Sequence, residues 1–114
     1  ELDVGGSYWV MKKADKFLDE NKEFMGPIEN LFEQLGVKKS HGYDIFHQTT
    51  GLNPKEYIIR RKIELAKQML LQNKAITSIA FDLGFSSSQS FATVFKKLTC
   101  MTPSNYKKKQ LAKL

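Results

Sequence analysis

One cysteine, three prolines and no apolar run long enough to span a membrane are what this 114-residue chain has little of. Cys100, being alone, closes no internal disulfide, and no C-x-x-C or closely spaced His/Cys set offers ligands to a structural metal ion. A reducing, cytoplasmic setting is expected. Nothing approaches the roughly eighteen consecutive apolar residues that cross a bilayer, and no basic-then-apolar leader opens the chain, so a soluble protein with no membrane partner is expected. The sequence opens on Glu1 and not Met, as a fragment of something longer would. Segments that alternate apolar and polar residues between turns are nearly absent, which excludes much sheet and predicts an all-α fold. Gly-rich phosphate loops, paired carboxylates and nucleophile-elbow motifs are also missing, so neither an enzyme nor a cofactor is expected.

What is present is a modest core and an uneven charge. Apolar residues make up 41% of the chain, with eight Phe and one Trp, enough for one compact domain or two very small ones sharing a helix. Residues 1–44 carry nine acidic against six basic side chains, whereas residues 45–114 carry three against twelve. No acid follows Asp82, while Lys96, Lys97, Lys107, Lys108, Lys109 and Lys113 do. A polyanion is the natural partner of such a segment; a solvated tail or an anionic lipid surface is the alternative.

Helical spacing organises most of the chain. Tyr8 to Asn21 places Val10, Ala14, Phe17 and Leu18 on one face, and Tyr8 and Trp9 are expected to join the core. Gly26-Pro27 opens a short helix carrying Ile28, Leu31, Phe32 and Leu35, with Pro27 in its first turn, and Gly36 ends it. A third helix runs from about Lys39 to Thr50, with Ile45 and Phe46 inward and Gly51 as its left-handed cap. Asn53-Pro54 opens the longest helix, to about Asn73, with Ile59, Ile63, Ala66 and Leu70 as its stripe and Ile58, Leu65 and Met69 widening it. Its length is roughly 30 Å, close to the ~34 Å of one duplex turn. Arg60, Arg61, Lys62 and Lys67 on it form a solvated outer face or phosphate contacts, Arg61 being also a candidate for internal pairing. Short helices follow at Thr77 to Leu83, Ser87 to Leu98 and Pro103 to about Gln110, each started by Thr, Ser or Thr-Pro.

The segment Ile76 to Phe85 has what a tight two-helix corner needs. Ala80 is small enough for another helix to cross it, Ile79 and Leu83 anchor the core, and Gly84 accepts a positive φ. The next helix turns Phe91, Val94, Phe95 and Leu98 inward. Its other face carries Ser87, Ser88, Gln89, Ser90, Thr93, Lys96 and Lys97: short hydrogen-bonding groups near the N-terminus and cations at the end, as in a helix inserted into a major groove. A polar, merely solvated face has the same composition.

Two blocks of residues in register resemble the AraC/XylS family of bacterial transcription regulators. One is Ile79-Ala80, Gly84-Phe85, Phe91, Phe95-Lys96-Lys97 and Thr102-Pro103-Ser104 with Tyr106. The other is Phe46, Thr50-Gly51-Leu52-Asn53-Pro54, Tyr57-Ile58, Arg61, Leu65-Ala66 and Leu70. The resemblance implies about seven helices in two helix-turn-helix subdomains joined by a long shared helix, binding double-stranded DNA in successive major grooves. It also implies an attached or upstream sensory or receiver domain outside this chain, with RNA polymerase a further candidate partner. The expected partition is residues 1–7 as a disordered or appended terminus, 8–52 as the first subdomain, 53–74 as the linking helix, 75–110 as the second subdomain and 111–114 as a tail.

Within that frame, Ser88, Gln89 and Thr93 are the expected base contacts, Gln89 being suited to adenine N6/N7. Ser87, Lys96, Lys97, Lys107 and Lys108 are expected at phosphates, with Lys109 beside them and Ser87 also capping its helix. The first motif departs from the family pattern. Phe32 stands where a small Ala is usual, Gly42 where an inward Leu is, at a cost in packing, and Asp44 where a basic or polar groove residue is. Ser40, His41, Tyr43 and Asp44 are nevertheless candidate base contacts, Asp44 through a cytosine N4 amino group, with Lys39 and His47 at phosphates. Cys100 replaces the usual Gly and is read as a small tolerated residue, not a redox sensor. His41 and His47 fall on different helical faces and offer no metal site. The competing expectation is a helical protein-interaction module with a degenerate first motif and weak or non-specific DNA binding.

Overall fold

A computed structural model describes residues 4–114, and within them there are seven helices and no strand. They are α1 (Val4–Glu20), α2 (Ile28–Leu35), α3 (Lys39–Thr50), α4 (Pro54–Leu71), α5 (Ile76–Asp82), α6 (Ser88–Thr99) and α7 (Pro103–Ala112). Helix α1 begins at Val4, four residues earlier than its apolar spacing suggests; the first three residues of the expected loose terminus lie outside the described residues. The chain forms two compact units, one up to Ile59 and one from Arg60 to Leu114. The boundary falls inside α4, which therefore gives its first turns to one unit and the remainder to the other.

In the first unit α1, α2 and α3 pack on one another. Ala14 and Leu18 of α1, Leu31, Phe32 and Leu35 of α2, Phe46 of α3 and Ile58 of α4 form its buried cluster. Tyr8 and Trp9, expected inside, are 52% and 63% exposed and meet edge to face with centroids 5.3 Å apart. They fall on the side of α1 that carries the exposed Lys12 and Lys13, while the adjacent Val10 and Met11 are half-buried against the core. Gly36 (φ 69°) and Gly51 (φ 75°) end α2 and α3 in the left-handed conformation that glycine adopts without steric cost. Pro27 occupies the N-cap of α2, one position before the first-turn site expected for it.

The pairing of Phe32 with Gly42 resolves both departures of the first motif at once. Gly42 is buried, and a Cβ built on it would lie 2.6–2.8 Å from three ring atoms of Phe32. The large ring thus fills the volume that a side chain at position 42 would take, and there is no packing loss to set against the fold. Phe32 also meets Tyr43 and Phe46 with centroids 5.3 and 6.2 Å apart. In the second unit the sizes are exchanged: small Ala80 in α5 and large Phe91 in α6, both buried.

That second unit is held by Ile63, Ala66 and Leu70 of α4 with Ile79, Leu83, Phe85, Phe91 and Phe95, all buried. A run of ring contacts, Phe85 to Phe91 at 5.4 Å, Phe91 to Phe95 at 5.8 Å and Phe95 to Tyr106 at 5.6 Å, continues from the α5 turn to α7. Both units close their third helix alike. Thr50 and Thr99 each donate to a carbonyl four residues back, of Phe46 at 2.6 Å and Phe95 at 2.8 Å, and accept the N–H two residues on. Between these bonds the first unit has Gly51, and the second has Cys100 at φ 65°. Cys100 is thus the one departure here that carries strain, since a Cβ is disfavoured in this region.

Gly42→Ala should destabilise by about 1–3 kcal/mol in denaturant unfolding despite a helix-propensity gain of up to ~1 kcal/mol. Combining Phe32→Ala with Gly42→Leu should cost less than the two single changes added together, whereas additivity would contradict the exchange of volumes. Cys100→Gly should stabilise by about 1 kcal/mol; no gain would show that φ there is not positive.

Candidate nucleic-acid interface

Helix α6 exposes the stripe that its inward residues dictate. With Phe91 and Phe95 fully buried, Gln89, Thr93, Lys96 and Lys97 are exposed and Ser88 is half-buried. Gln89, Thr93 and Lys96 recur at helical spacing along one line, with Lys97 at its border. Its N-terminus is fixed by a capping box: Ser87 Oγ accepts the Ser90 N–H at 3.0 Å, and Ser90 Oγ accepts the Ser87 N–H at 3.2 Å. The Ser87 N–H is thereby engaged in the cap, and its hydroxyl donates to Ser90 Oγ at 3.3 Å. Thr93 donates its hydroxyl to the Gln89 carbonyl at 2.9 Å. It faces outward with its methyl and its acceptor lone pairs, while the Gln89 amide has both a donor and an acceptor to offer.

Helix α7 adds cations. Thr102 caps it, its Oγ1 accepting the Asn105 N–H at 3.2 Å, and Pro103 takes the first-turn position. Lys108 and Lys109 are exposed; Lys107 is half-buried and donates to Asn73 Oδ1. Lys107 and Lys108 line an open depression of about 400 Å³ with Lys74, Ser104, Ile76 and Leu111. Lys74 was not singled out in the sequence, and Ser104 only as part of the family resemblance, because nothing local brings the segment after α4 beside α7. Helix α5, expected to be capped by Thr77, starts instead after Ala75 with no side-chain cap.

Helix α3 is a weaker counterpart. Ser40, His41, Tyr43, Asp44 and His47 are all exposed, with Ser40, Tyr43, Asp44 and His47 sharing one face. Tyr43 turns its ring edge toward Phe32. Lys39 lies 3.4 Å from Glu29. Glu29 sits in the first turn of α2, and its own backbone N–H, then the Lys39 ammonium, hold its carboxyl below the usual range. The pair is solvated and contributes little to stability. Among the described residues no group of three or more His, Cys, Asp or Glu gathers as metal ligands, and no helix is long and apolar enough to cross a membrane.

Lys62 departs from the expectation set for it. It is 3% exposed and donates to the Leu83 carbonyl at 2.6 Å, so it belongs neither to a solvated face nor to phosphate contacts. A signal for this was present: Lys62 is four residues from both Ile58 and Ala66, on the apolar line itself.

A family model for the helix-turn-helix domain matches residues 31–109. A helix-turn-helix-type transcriptional regulator of Pseudoalteromonas carrageenovora, itself uncharacterised, is 34% identical over 99 residues, covering 87% of this chain and 59% of its own. An AraC-type DNA-binding-domain regulator of Chromobacterium violaceum superposes with a TM-score of 0.81 at 25% identity, over 90% of this chain and 93% of that one. The DNA-binding domain of AdpA, solved in complex with a target DNA, superposes at 0.78 and 20% identity, over 91% and 94%, which is a likeness of fold. The chain belongs to the AraC-type helix-turn-helix family. It spans between about a quarter and three fifths of the length of the curated relatives it matches, from 27% to 59%.

The capping box is the simplest feature to test. Ser87→Ala should lower stability by about 1 kcal/mol in thermal unfolding. Any loss of DNA affinity should be no more than the lower folded fraction accounts for; a further loss shared equally by all duplexes would place Ser87 on a phosphate.

Proposed function

We propose that this chain is the DNA-binding domain of a transcription regulator and reads double-stranded DNA by sequence, chiefly through α6. The observation that carries this is the exposed line of Gln89, Thr93 and Lys96 on a helix whose opposite side is locked by Phe91 and Phe95, in a segment with no acid after Asp82. Gln89 is placed to bond adenine N6 and N7, Ser88 to bond a base edge near the helix start, and Thr93 to set its methyl against a thymine methyl. Lys96, Lys97, Lys107, Lys108 and Lys109 serve phosphates, joined by Lys74 and Ser104, while Ser87 caps the helix.

Helix α3 has the secondary part. Ser40, His41, Tyr43 and Asp44 face a groove, with Lys39 and His47 at its edges, and Asp44 selects a cytosine amino group against phosphate repulsion. The fit of Phe32 against Gly42 supports a working first motif, because it removes the packing defect that favoured a pure protein-interaction module. The AdpA domain bound to its target DNA has the same fold, which supports duplex DNA as partner. Relatives about twice as long support an attached domain beyond this chain, which we read as sensory or receiver; RNA polymerase as a further partner and the cytoplasm as the place of action follow from the reading as a transcription regulator alone.

Two substitutions separate base reading from phosphate binding. Gln89→Ala should relax preference at one base pair, a loss of about 1–3 kcal/mol of discrimination. Lys96→Ala should weaken all duplexes alike and lower the slope of log K against log salt by about one. Fluorescence anisotropy on the preferred and a scrambled duplex reads both; an unchanged preference in Gln89→Ala removes that residue from base reading.

A further inference from the structure

Lys62 is the one charged side chain that is buried among the described residues, and burying an ammonium is costly unless acceptors replace its water. One partner of this ammonium, the Leu83 carbonyl, is the C-cap of α5. The other bonds at that end are Leu83 N–H to Ile79, Gly84 N–H to Phe81 and Phe85 N–H to Ala80 carbonyls. They turn the chain through Gly84 at φ 85° and leave the Leu83 carbonyl to Lys62. A cation at a helix C-terminus also faces the negative end of the helix dipole. The bond therefore ties α4 to the turn between α5 and α6. Four residues beyond Leu83, the chain enters the Ser87–Ser90 capping box, and Phe85 packs on Phe91 of α6. Gln89 follows two residues after the cap.

We infer that Lys62 is a positioning residue for base reading: its buried ammonium, held on the Leu83 carbonyl, sets where α6 begins and hence where Gln89 is presented. This rests on the reading of α6 as the base-reading helix. It differs from a phosphate role, since the ammonium lies inside the unit, and from a purely stabilising role, since its effect falls on discrimination. A shift of α6 by a fraction of its rise spoils the geometry of a bidentate contact, yet leaves phosphate attraction nearly intact.

The test compares wild type, Lys62→Met and Lys62→Arg on the wild type's preferred duplex and on random duplex. The ratio of the two dissociation constants is the readout, because a reduced folded fraction weakens both equally and cancels. In Lys62→Met the ratio should fall about tenfold with the salt slope unchanged, and Lys62→Arg, which keeps a donor, should restore it to within about threefold. A wild-type ratio in Lys62→Met overturns the inference, as does a loss that Arg fails to restore. If wild type itself shows no preference for any duplex, the reading of α6 fails, and hydrogen exchange then decides the role of Lys62 in the turn. There the Gly84 and Phe85 amides should exchange at least about tenfold faster in Lys62→Met relative to those of α7, and equal rates overturn the inference. Should Lys62→Met not fold, Lys62→Gln, uncharged and too short to reach, replaces it in both measurements with the same outcomes.

Discussion

Where two short helices cross at a corner, their contact has room for one large side chain and not two. Close packing makes that volume a fixed quantity, so the identity of one partner constrains the other. Phe32 against Gly42 meets this constraint with the large residue on the first helix of the corner; in the second unit the first helix has the small Ala80 and the next the large Phe91, both buried. Once the volume is filled, the rotation of α3 and of α6 about its axis is set, and with it the residues each presents outward. The exposed stripe on α6 is therefore a consequence of Phe91 and Phe95, and the face of α3 a consequence of Phe32, Ile45 and Phe46.

Charge acts on that geometry without creating it. Asp82 is the last acid, and it lies 3.9 Å from the Lys74 ammonium, so the segment beyond it presents lysines with no carboxylate on the same helices. Cations on α6 and α7 give attraction that is long in range and indifferent to sequence, whereas Gln89 and Thr93 offer directional groups. The first unit has the opposite balance. Its Lys39 is drawn toward Glu29 and its Asp44 is exposed, so α3 has less electrostatic affinity for a polyanion than α6.

Much of this was legible in the sequence, and the exceptions have physical reasons. The span of α3, the caps at Ser87 and Thr102 and the left-handed Gly36, Gly51 and Gly84 were readable, because each depends on residues within a few positions of one another. The Phe32–Gly42 fit was not, since it joins residues ten apart on different helices, and each looked like a defect by itself. Tyr8 and Trp9 were placed inside on the strength of an amphipathic pattern, but they lie on the side of α1 away from Val10, Met11 and Ala14, which face the core. Lys62 was counted with the solvated cations although its spacing put it on the apolar line; a lysine there needs a buried acceptor, and only the fold shows that the end of α5 supplies one. The roles of Lys74 and Ser104 likewise depend on proximity that no local pattern encodes.

The central claim is that the packed, capped helix α6 reads base edges. Selection of bound duplexes from a random DNA pool, at a salt concentration where non-specific attraction is weak, tests it most directly. Base reading by α6 should enrich a defined motif containing at least one position where adenine is required. A pool that binds without enriching any sequence would contradict it.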